Sequence, residues 1–437
     1  MDTIVKWGSM EFKIETLTPI WTGDVNRTCK TLRETSLVGS LRWWFEVIVR
    51  GFGYYACDPT SENNRCKYDG NVNSICPVCQ IFGCTGWSRR FRLEVNQNFR
   101  KIYEGNLRIK GENNSWYYPS GVMSCNGEYN RFIKTLSGGE YLTDEEYGSI
   151  IKILLKFISD YGMVGGKTAI GYGVVKFEGK DIKVDKEDFE NLFNYLNKKK
   201  SHGKNSNNMP ILDEMFFAKF KINSNSLDKI IEKVYECVDD NYFPKSIYKC
   251  NGTEEKINNK KEFLKKLRDY YSFIPTSALI RKELRKRIKE KWINNTKLRH
   301  FLMGYMQKNK KLAQEDPTRF SAIQVSHIYN TGEHWEFRIW GWIPKNLDKK
   351  FDVQREEVID FLMLLLNNQE DDNSNRSNEE MSKGFWESIF GDNCVEKING
   401  NYIIKYSDNE NNWNSIDFGD LENLDERKKA FESMLRG

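Results

Sequence analysis

Long apolar runs are missing from this 437-residue sequence. The longest uncharged one, Phe361 to Leu366, falls far short of the ~20 residues that cross a bilayer, so no membrane span is expected. Mean hydropathy is −0.68, which agrees. Met1-Asp2-Thr3 is not a basic region followed by an apolar stretch, so no secretory signal is expected and a cytoplasmic protein is. Histidine is scarce: His202, His300, His327 and His334 are all there are. Acid–base catalysis that relies on paired imidazoles therefore has little to work with. Net charge is also small, +5 from 67 basic and 62 acidic residues, so a basic surface must come from uneven placement.

Hydrophobic residues at 39% and charged residues at 30% describe a folded chain rather than a disordered one. At about 150 residues per domain the length fits two or three domains. Met10 to Leu17 alternates as a half-buried strand, and Trp21-Thr22-Gly23-Asp24 is a turn. Leu37, Leu41, Trp44 and Ile48 predict a helix over 36–49. Phe91 to Val95 alternates again, and Thr143 to Glu146 reads as a capping box that opens a helix through Ile158. A glycine loop and a strand from Gly173 to Phe177 close this half. Strand, helix, strands, helix, strand is the ferredoxin-like order, so the expected class is α+β.

A first domain over 1–196, with a Cys-rich insertion at 53–86, is followed by a polar linker at 197–208 and a second domain over 209–437. The second repeats the order. It has a strand at Phe216 to Ile222, a basic helical insertion at 256–306, strands at Ala322 to His327 and Trp335 to Trp340, a helix at Glu357 to Leu366 and a strand at Tyr402 to Tyr406. Asp371 to Glu380 is polar and of low complexity, which predicts a disordered loop.

The near-neutral total hides a charge asymmetry. Lys256 to Ala313 holds 18 Lys and Arg against 4 Asp and Glu, whereas Phe351 to Gly437 holds 9 against 20. In the densest stretch, Arg281 to Trp292, Leu284, Ile288 and Trp292 share one helical face and leave the others to cations such as Arg285. Such a helix suits a polyanion, or is a solvated helix laced with ion pairs.

Three further patterns carry chemistry. Tyr161 to Gly173 contains five glycines around Gly165-Gly166-Lys167-Thr168. It is no Walker loop, because Tyr161 stands where the first glycine is required and the order runs from helix to strand. Bare backbone N–H groups and Lys167 would suit a phosphodiester chain; alternatively the glycines only cap a helix and make tight turns. Arg33, Ser36, Ser40 and Arg42 surround the start of the first helix, with Ser36 as its expected N-cap. Arg42 and Trp43 would contact phosphate and stack on a base, Trp44 would be core, and Arg89, Arg90, Arg92 and Arg100 add cations. Ten cysteines in a chain with no expected signal argue against a secreted disulfide scaffold, and five fall within 28 residues. Cys76-Pro77-Val78-Cys79 has metal-knuckle spacing, and Cys57 and Cys66 would complete a four-thiolate zinc site, the alternative being free thiols in a loop. Cys84 is left out, since Phe82-Gly83 leads it into the next element.

Four motifs in order resemble the RAMP superfamily, in particular the first-subunit branch of type III-B CRISPR Cmr effector complexes. They are Thr18-Pro-Ile-Trp-Thr-Gly-Asp24, Ser36-Leu-Val-Gly-Ser-Leu-Arg-Trp-Trp44, Cys76-Pro-Val-Cys-Gln-Ile-Phe-Gly83, and Gly165-Gly-Lys-Thr168 with Gly171-Tyr-Gly173. The resemblance is strong over 10–180. It is weaker in the second half, where it rests on Phe273 to Ala278 and Phe320 to Ile323. It implies two tandem ferredoxin-like, RRM-related domains and a non-catalytic RNA-binding subunit near the 3′ region of a guide RNA. Target RNA and neighbouring RAMP subunits would be its other partners. The residues expected to face RNA are Thr22, Gly23, Arg33, Ser36, Ser40, Arg42, Trp43, Arg89, Arg90, Gly165, Gly166, Lys167, Thr168, Arg281 and Arg285. The rival is a RAMP-type endoribonuclease acting on CRISPR RNA, for which Asp24 or a pair of His327 and His334 across a hairpin would be needed. An ATPase is disfavoured by the loop order.

Overall fold

The computed structural model describes residues 9–436 except 25, 27, 97, 112–114, 126–128, 135–141, 199–202, 204, 206–208, 306–320, 368–383, 398–401, 404–413 and 416–423. Most of the 197–208 linker, His202, Phe320 and the low-complexity 371–380 stretch lie outside the described residues.

The first half is built on β1 (Ser9–Thr16), α1 (Glu34–Gly51), the short α2 (Pro77–Phe82) and β2 (Phe91–Glu94). Four short strands follow, β3 (Phe99–Lys101), β4 (Asn106–Lys110), β5 (Ser115–Pro119) and β6 (Val122–Ser124). Then come β7 (Tyr129–Lys134), α3 (Asp144–Asp160), β8 (Val175–Glu178) and α4 (Lys186–Asn197). The main sheet runs β2-β7-β1-β8, all antiparallel. β1 alternates as read: Met10, Phe12, Ile14 and Thr16 are buried, while Ser9, Glu11, Lys13 and Glu15 point the other way. On that outer face Arg131 pairs with Glu11, and Lys176 with Glu178. The expected capping box opens α3, with Thr143 and Glu146 bonded reciprocally. Ser36 is not the cap of α1: the helix starts one turn earlier, Arg33 holds the N-cap position without a side-chain bond, and Ser36 sits inside the first turn.

The second half has β9 (Met215–Ile222), α5 (Leu227–Cys237), the hairpin of β10 (Ser246–Tyr248) and β11 (Glu254–Lys256), α6 (Lys260–Tyr271) and β12 (Phe273–Ile274). The basic α7 (Ser277–Lys291) and α8 (Thr296–Met303) follow, then β13 (Ile323–Val325), β14 (Ile328–Asn330) and β15 (Trp335–Trp342). A helix at Arg355–Asn367 precedes the late strands β16 (Val395–Lys397), β17 (Tyr402–Ile403) and β18 (Asn414–Ser415). The basic insertion is thus three helices and a short strand rather than one run. The sheet runs β12-β14-β15-β9-β17-β18, with β9 and β15 paired along their whole length.

β9 is buried on both faces over Met215 to Ala218, because the first half packs on it. There Trp44 of α1, fully buried, meets Phe157, Phe217 and Trp340, and its indole N–H donates to the Met163 carbonyl at 2.9 Å. Arg338 of β15 reaches across to the Ser159 and Gly162 carbonyls at the end of α3, which satisfies acceptors a helix terminus leaves open. The two halves therefore share one apolar core. Among the described residues no helix is long and apolar enough to cross a membrane.

Candidate metal centre and glycine loop

Four thiols converge beside α1. Cys57 follows the helix end, Cys66 lies in the polar loop beyond, Cys76 is the N-cap of α2, and Cys79 sits in the first turn of α2 behind Pro77. All four are buried, all are free thiols, and their sulfurs lie within 4.8 Å of one another, Cys57 and Cys79 at 3.5 Å. A tetrahedral ion with Zn–S bonds of about 2.3 Å wants sulfurs about 3.8 Å apart, so the donor set fits. Packed so closely, the sulfurs share protons: the neighbouring S–H groups hold the Cys57 thiol low and push Cys79 and Cys76 up. A divalent ion is what would let all four be thiolates together. The surrounding loop is held by polar turns, among them the Asn71 cap and the Gln80 amide on the Val72 and Ile75 carbonyls. Gly83 ends α2 at φ +87°, and a Cβ there would fall 2.9 Å from the Arg89 nitrogen. Cys84 stands half-exposed outside the cluster, as read.

The helix α1 supplies no sulfur but faces the centre with Arg42, Glu46 and Arg50, one turn apart. Arg42 donates to Glu46 at 2.9 Å, to the Gly83 carbonyl at 2.7 Å and to the Cys79 sulfur at 3.1 Å. Arg50 donates to Glu46 at 3.3 Å and to the Ala56 and Cys57 carbonyls at 3.2 and 3.1 Å. Burial pushes the Glu46 carboxyl up against the pull of both guanidiniums. Sequence reading missed Glu46 and Arg50. The signal was an Arg-x3-Glu-x3-Arg row along an otherwise apolar helix. Arg42 itself was read as a phosphate contact, whereas its donors go to the cysteine module.

The glycine loop knits the two halves. The Gly165 N–H is taken by Ser40 Oγ at 2.8 Å and the Gly166 N–H by the Trp21 carbonyl at 2.8 Å, so neither is a bare donor. Thr168 Oγ1 bonds Gln324 at 2.9 Å, and Ser277 Oγ donates to the Ile170 carbonyl at 2.6 Å. Gly171, at φ +105°, lies flat against His327: a Cβ would fall 2.5 Å from its ring. Lys167 takes a left-handed φ of 63° and sets its ammonium 4.9 Å from the Trp21 ring centroid, half-buried, and burial lowers its pKa. Trp21 folds over Gly23, and its buried indole N–H has no partner among the described residues. Thr22 is buried and structural, accepting from the Arg33 N–H and donating to the Thr31 carbonyl. The Arg33 side chain is exposed beside this turn.

The remaining candidates divide. Trp43 packs half-buried on Trp44 and Trp340. Arg89 donates to the Phe91 carbonyl, and Arg90 stacks 3.5 Å over Trp87. Arg281 is not on the surface: it is buried, bonds the Ile323 and Met303 carbonyls and Ser321, and burial pushes its pKa down to about 10. Arg285 is half-buried on the Met303 and Gly304 carbonyls. Leu284, Ile288 and Trp292 do form the docking face, Trp292 packing on Phe361. Asp24 accepts from Asn26 and Thr28 within its own turn. His327 is buried among Tyr118, Tyr172 and Phe273, while His334 bonds Glu336 at 2.9 Å, so the two imidazoles have separate partners.

Residues 13–176 match the family model described as RAMP superfamily. No curated protein matches the chain. Among solved structures, the chain is similar to the crystal structure of apo Cmr1 from Pyrococcus furiosus, with TM-score 0.35 and 13% identity over 77% of this chain and 88% of that one. It is also similar to chains in two cryo-EM structures of the type III-B Cmr-beta complex bound to cognate target RNA. One of these also holds AMPPnP, in the presence of ssDNA. Both are 12% identical over 76% of this chain and 94% of theirs, at TM-scores 0.33 and 0.32. All four sequence motifs lie within residues 13–176, the stretch that matches the RAMP-superfamily model.

Proposed function

We propose that this chain is a non-cleaving, RNA-binding subunit of a cytoplasmic type III-B CRISPR ribonucleoprotein. Guide RNA, target RNA and neighbouring RAMP subunits are its partners in this reading. The observation that carries it is the RAMP-superfamily match over residues 13–176. Two ferredoxin-like units suit the strand orders. In the first sheet the second, third, first and fourth strands of a βαββαβ unit are neighbours in that order, and β15, β9 and β17 sit in the matching places of the second. Among the described residues the outer face of the first sheet pairs charges of both signs, which suits RNA poorly. The turn that carries Trp21, Gly23 and exposed Arg33, with Lys167 above it, suits a phosphate backbone better: it sets two cations beside an indole, and its one carboxylate, Asp24, is engaged by Asn26 and Thr28. Zinc at Cys57, Cys66, Cys76 and Cys79 would supply a redox-inert staple for the Cys-rich loop.

His327, walled in by aromatic rings, has no route to a 2′-hydroxyl, and Asp24 is occupied by its own turn. The test is fluorescence anisotropy with labelled single-stranded RNA across a salt series, with a parallel cleavage assay with and without Mg²⁺. Wild type should bind without turnover. Lys167→Ala should weaken binding alike for unrelated sequences and lower the salt slope by about 1, as the loss of one phosphate contact does. Cleavage sensitive to Asp24→Ala would overturn the reading, and an unchanged slope would remove Lys167 from the interface.

A further inference from the structure

We infer that Arg42 is an outer-sphere positioning residue of the four-cysteine centre, compensating the charge of the metal–thiolate group through its bond to the Cys79 sulfur. This rests on the metal reading above and adds to it a residue that is not a ligand. Four thiolates around a divalent ion leave a net charge of −2, and all four sulfurs are buried. Such a charge is costly away from water unless donors reach the sulfurs. Among the described residues, donors to these sulfurs include the Arg42 guanidinium at 3.1 Å from Cys79 and the Cys76 backbone N–H at 3.3 Å from Cys66. Of these donors, Arg42 brings charge and the backbone N–H does not.

Its placement is built rather than incidental. One edge of the guanidinium is fixed by Glu46, and the other end by the Gly83 carbonyl just past α2. Glu46 is in turn gripped by Arg50, which holds the Cys57 backbone from the opposite side. The ladder on α1 therefore clamps a sulfur at one end of the centre and a ligand's main chain at the other, and sets two positive charges and one negative against the group. A bonded sulfur is a weaker nucleophile and a poorer site for protonation, so the ion should leave more slowly while Arg42 is present.

The test uses the full chain loaded with zinc or with cobalt(II). Rates of zinc transfer to a chromogenic chelator and the sulfur-to-cobalt charge-transfer band are measured for wild type, Arg42→Met and Arg42→Lys, with Arg131→Ala as the exposed control. Arg42→Met is expected to release zinc at least ~10-fold faster and to shift the band to lower energy, since outer-shell partners tune affinity 10–100-fold. Arg42→Lys should recover part of both, and Arg131→Ala should match wild type. If Arg42→Met does not fold, Arg42→Lys, which keeps the charge but loses the fork that spans Glu46, Gly83 and Cys79, must show the same directions at smaller size. Wild-type release rate and band in a folded, loaded Arg42 variant would overturn the inference and leave the metal centre standing. Wild-type protein that takes up neither ion would remove the centre itself.

Discussion

Cys79→Ser is expected to empty the metal centre and loosen the whole stretch from Cys57 to Cys84. Wild type should carry one zinc per chain by elemental analysis and the variant none. The size of the effect follows from how little else holds this loop. Its turns are made of Asp69, Asn71, Asn73 and Ser74 hydrogen bonds at the surface, each worth little. Its apolar anchors, such as Phe82 against Phe45 and Phe91, belong to α2 rather than to the loop around Cys66. Structural zinc contributes about 10–16 kcal/mol in isolated fingers near neutral pH. Here α2 is already docked, so a loss of several kcal/mol from the first half is expected, together with proteolytic nicking in 58–75. A strong chelator added to wild type should reproduce both changes, and Cys84→Ser should not. Wild type that melts identically with and without chelator would sink the prediction. Retention of iron in place of zinc would keep the centre and change the ion, since four thiolates also suit iron.

How far the sequence reached is clearest in α1 and α7. Periodicity placed both helices, because burying one apolar stripe is what forms them, and that stripe is local. The four-cysteine cluster was legible because a knuckle writes two of its thiols three residues apart, although the other pair is spaced by nine. What was not legible is where a long cationic side chain ends. Arg42 reads as solvent-facing at a helix start until the fold sets a sulfur and a carbonyl beside it. Arg281 could have been read better. It lies three residues before Leu284 and seven before Ile288, on the buried face itself, and the charge run around it concealed that. The glycine loop was recognised as unusual for a correct physical reason, close approach, but what approaches is Trp21 and His327 of the same chain. Nothing local to 161–173 names a partner more than 150 residues away.

His327 is the other position where a large effect is expected, and its signature is pH. The imidazole is buried against Tyr118, Tyr172, Phe273 and the bare face of Gly171, and burial pushes its pKa down to about 3. The facing tyrosines are themselves pushed up by burial and stay neutral, so they offer no compensating charge. Nδ1 faces the Ser277 N–H at 3.4 Å, which places it as an acceptor and the ring proton on Nε2. In the unfolded chain the same group titrates near 6.5. Between those values the unfolded state binds a proton that the folded state refuses, so stability is complete above about pH 6.5 and falls as pH drops toward 3. The slope is about 1.4 kcal/mol per unit, or about 2 kcal/mol by pH 5. Because the ring sits where the glycine loop meets β14, the loss falls on the junction of the two halves. Urea unfolding at pH 7.5 and pH 5.0 checks it. Wild type should lose about 2 kcal/mol more across that interval than His327→Asn, which keeps an acceptor and cannot ionise. The variant will be weaker at pH 7.5 for the space it leaves, so the difference between pH values decides. Equal acid losses in the two proteins would mean that His327 is reached by water and charged in the folded state, which would reopen the acid–base role its burial denies it.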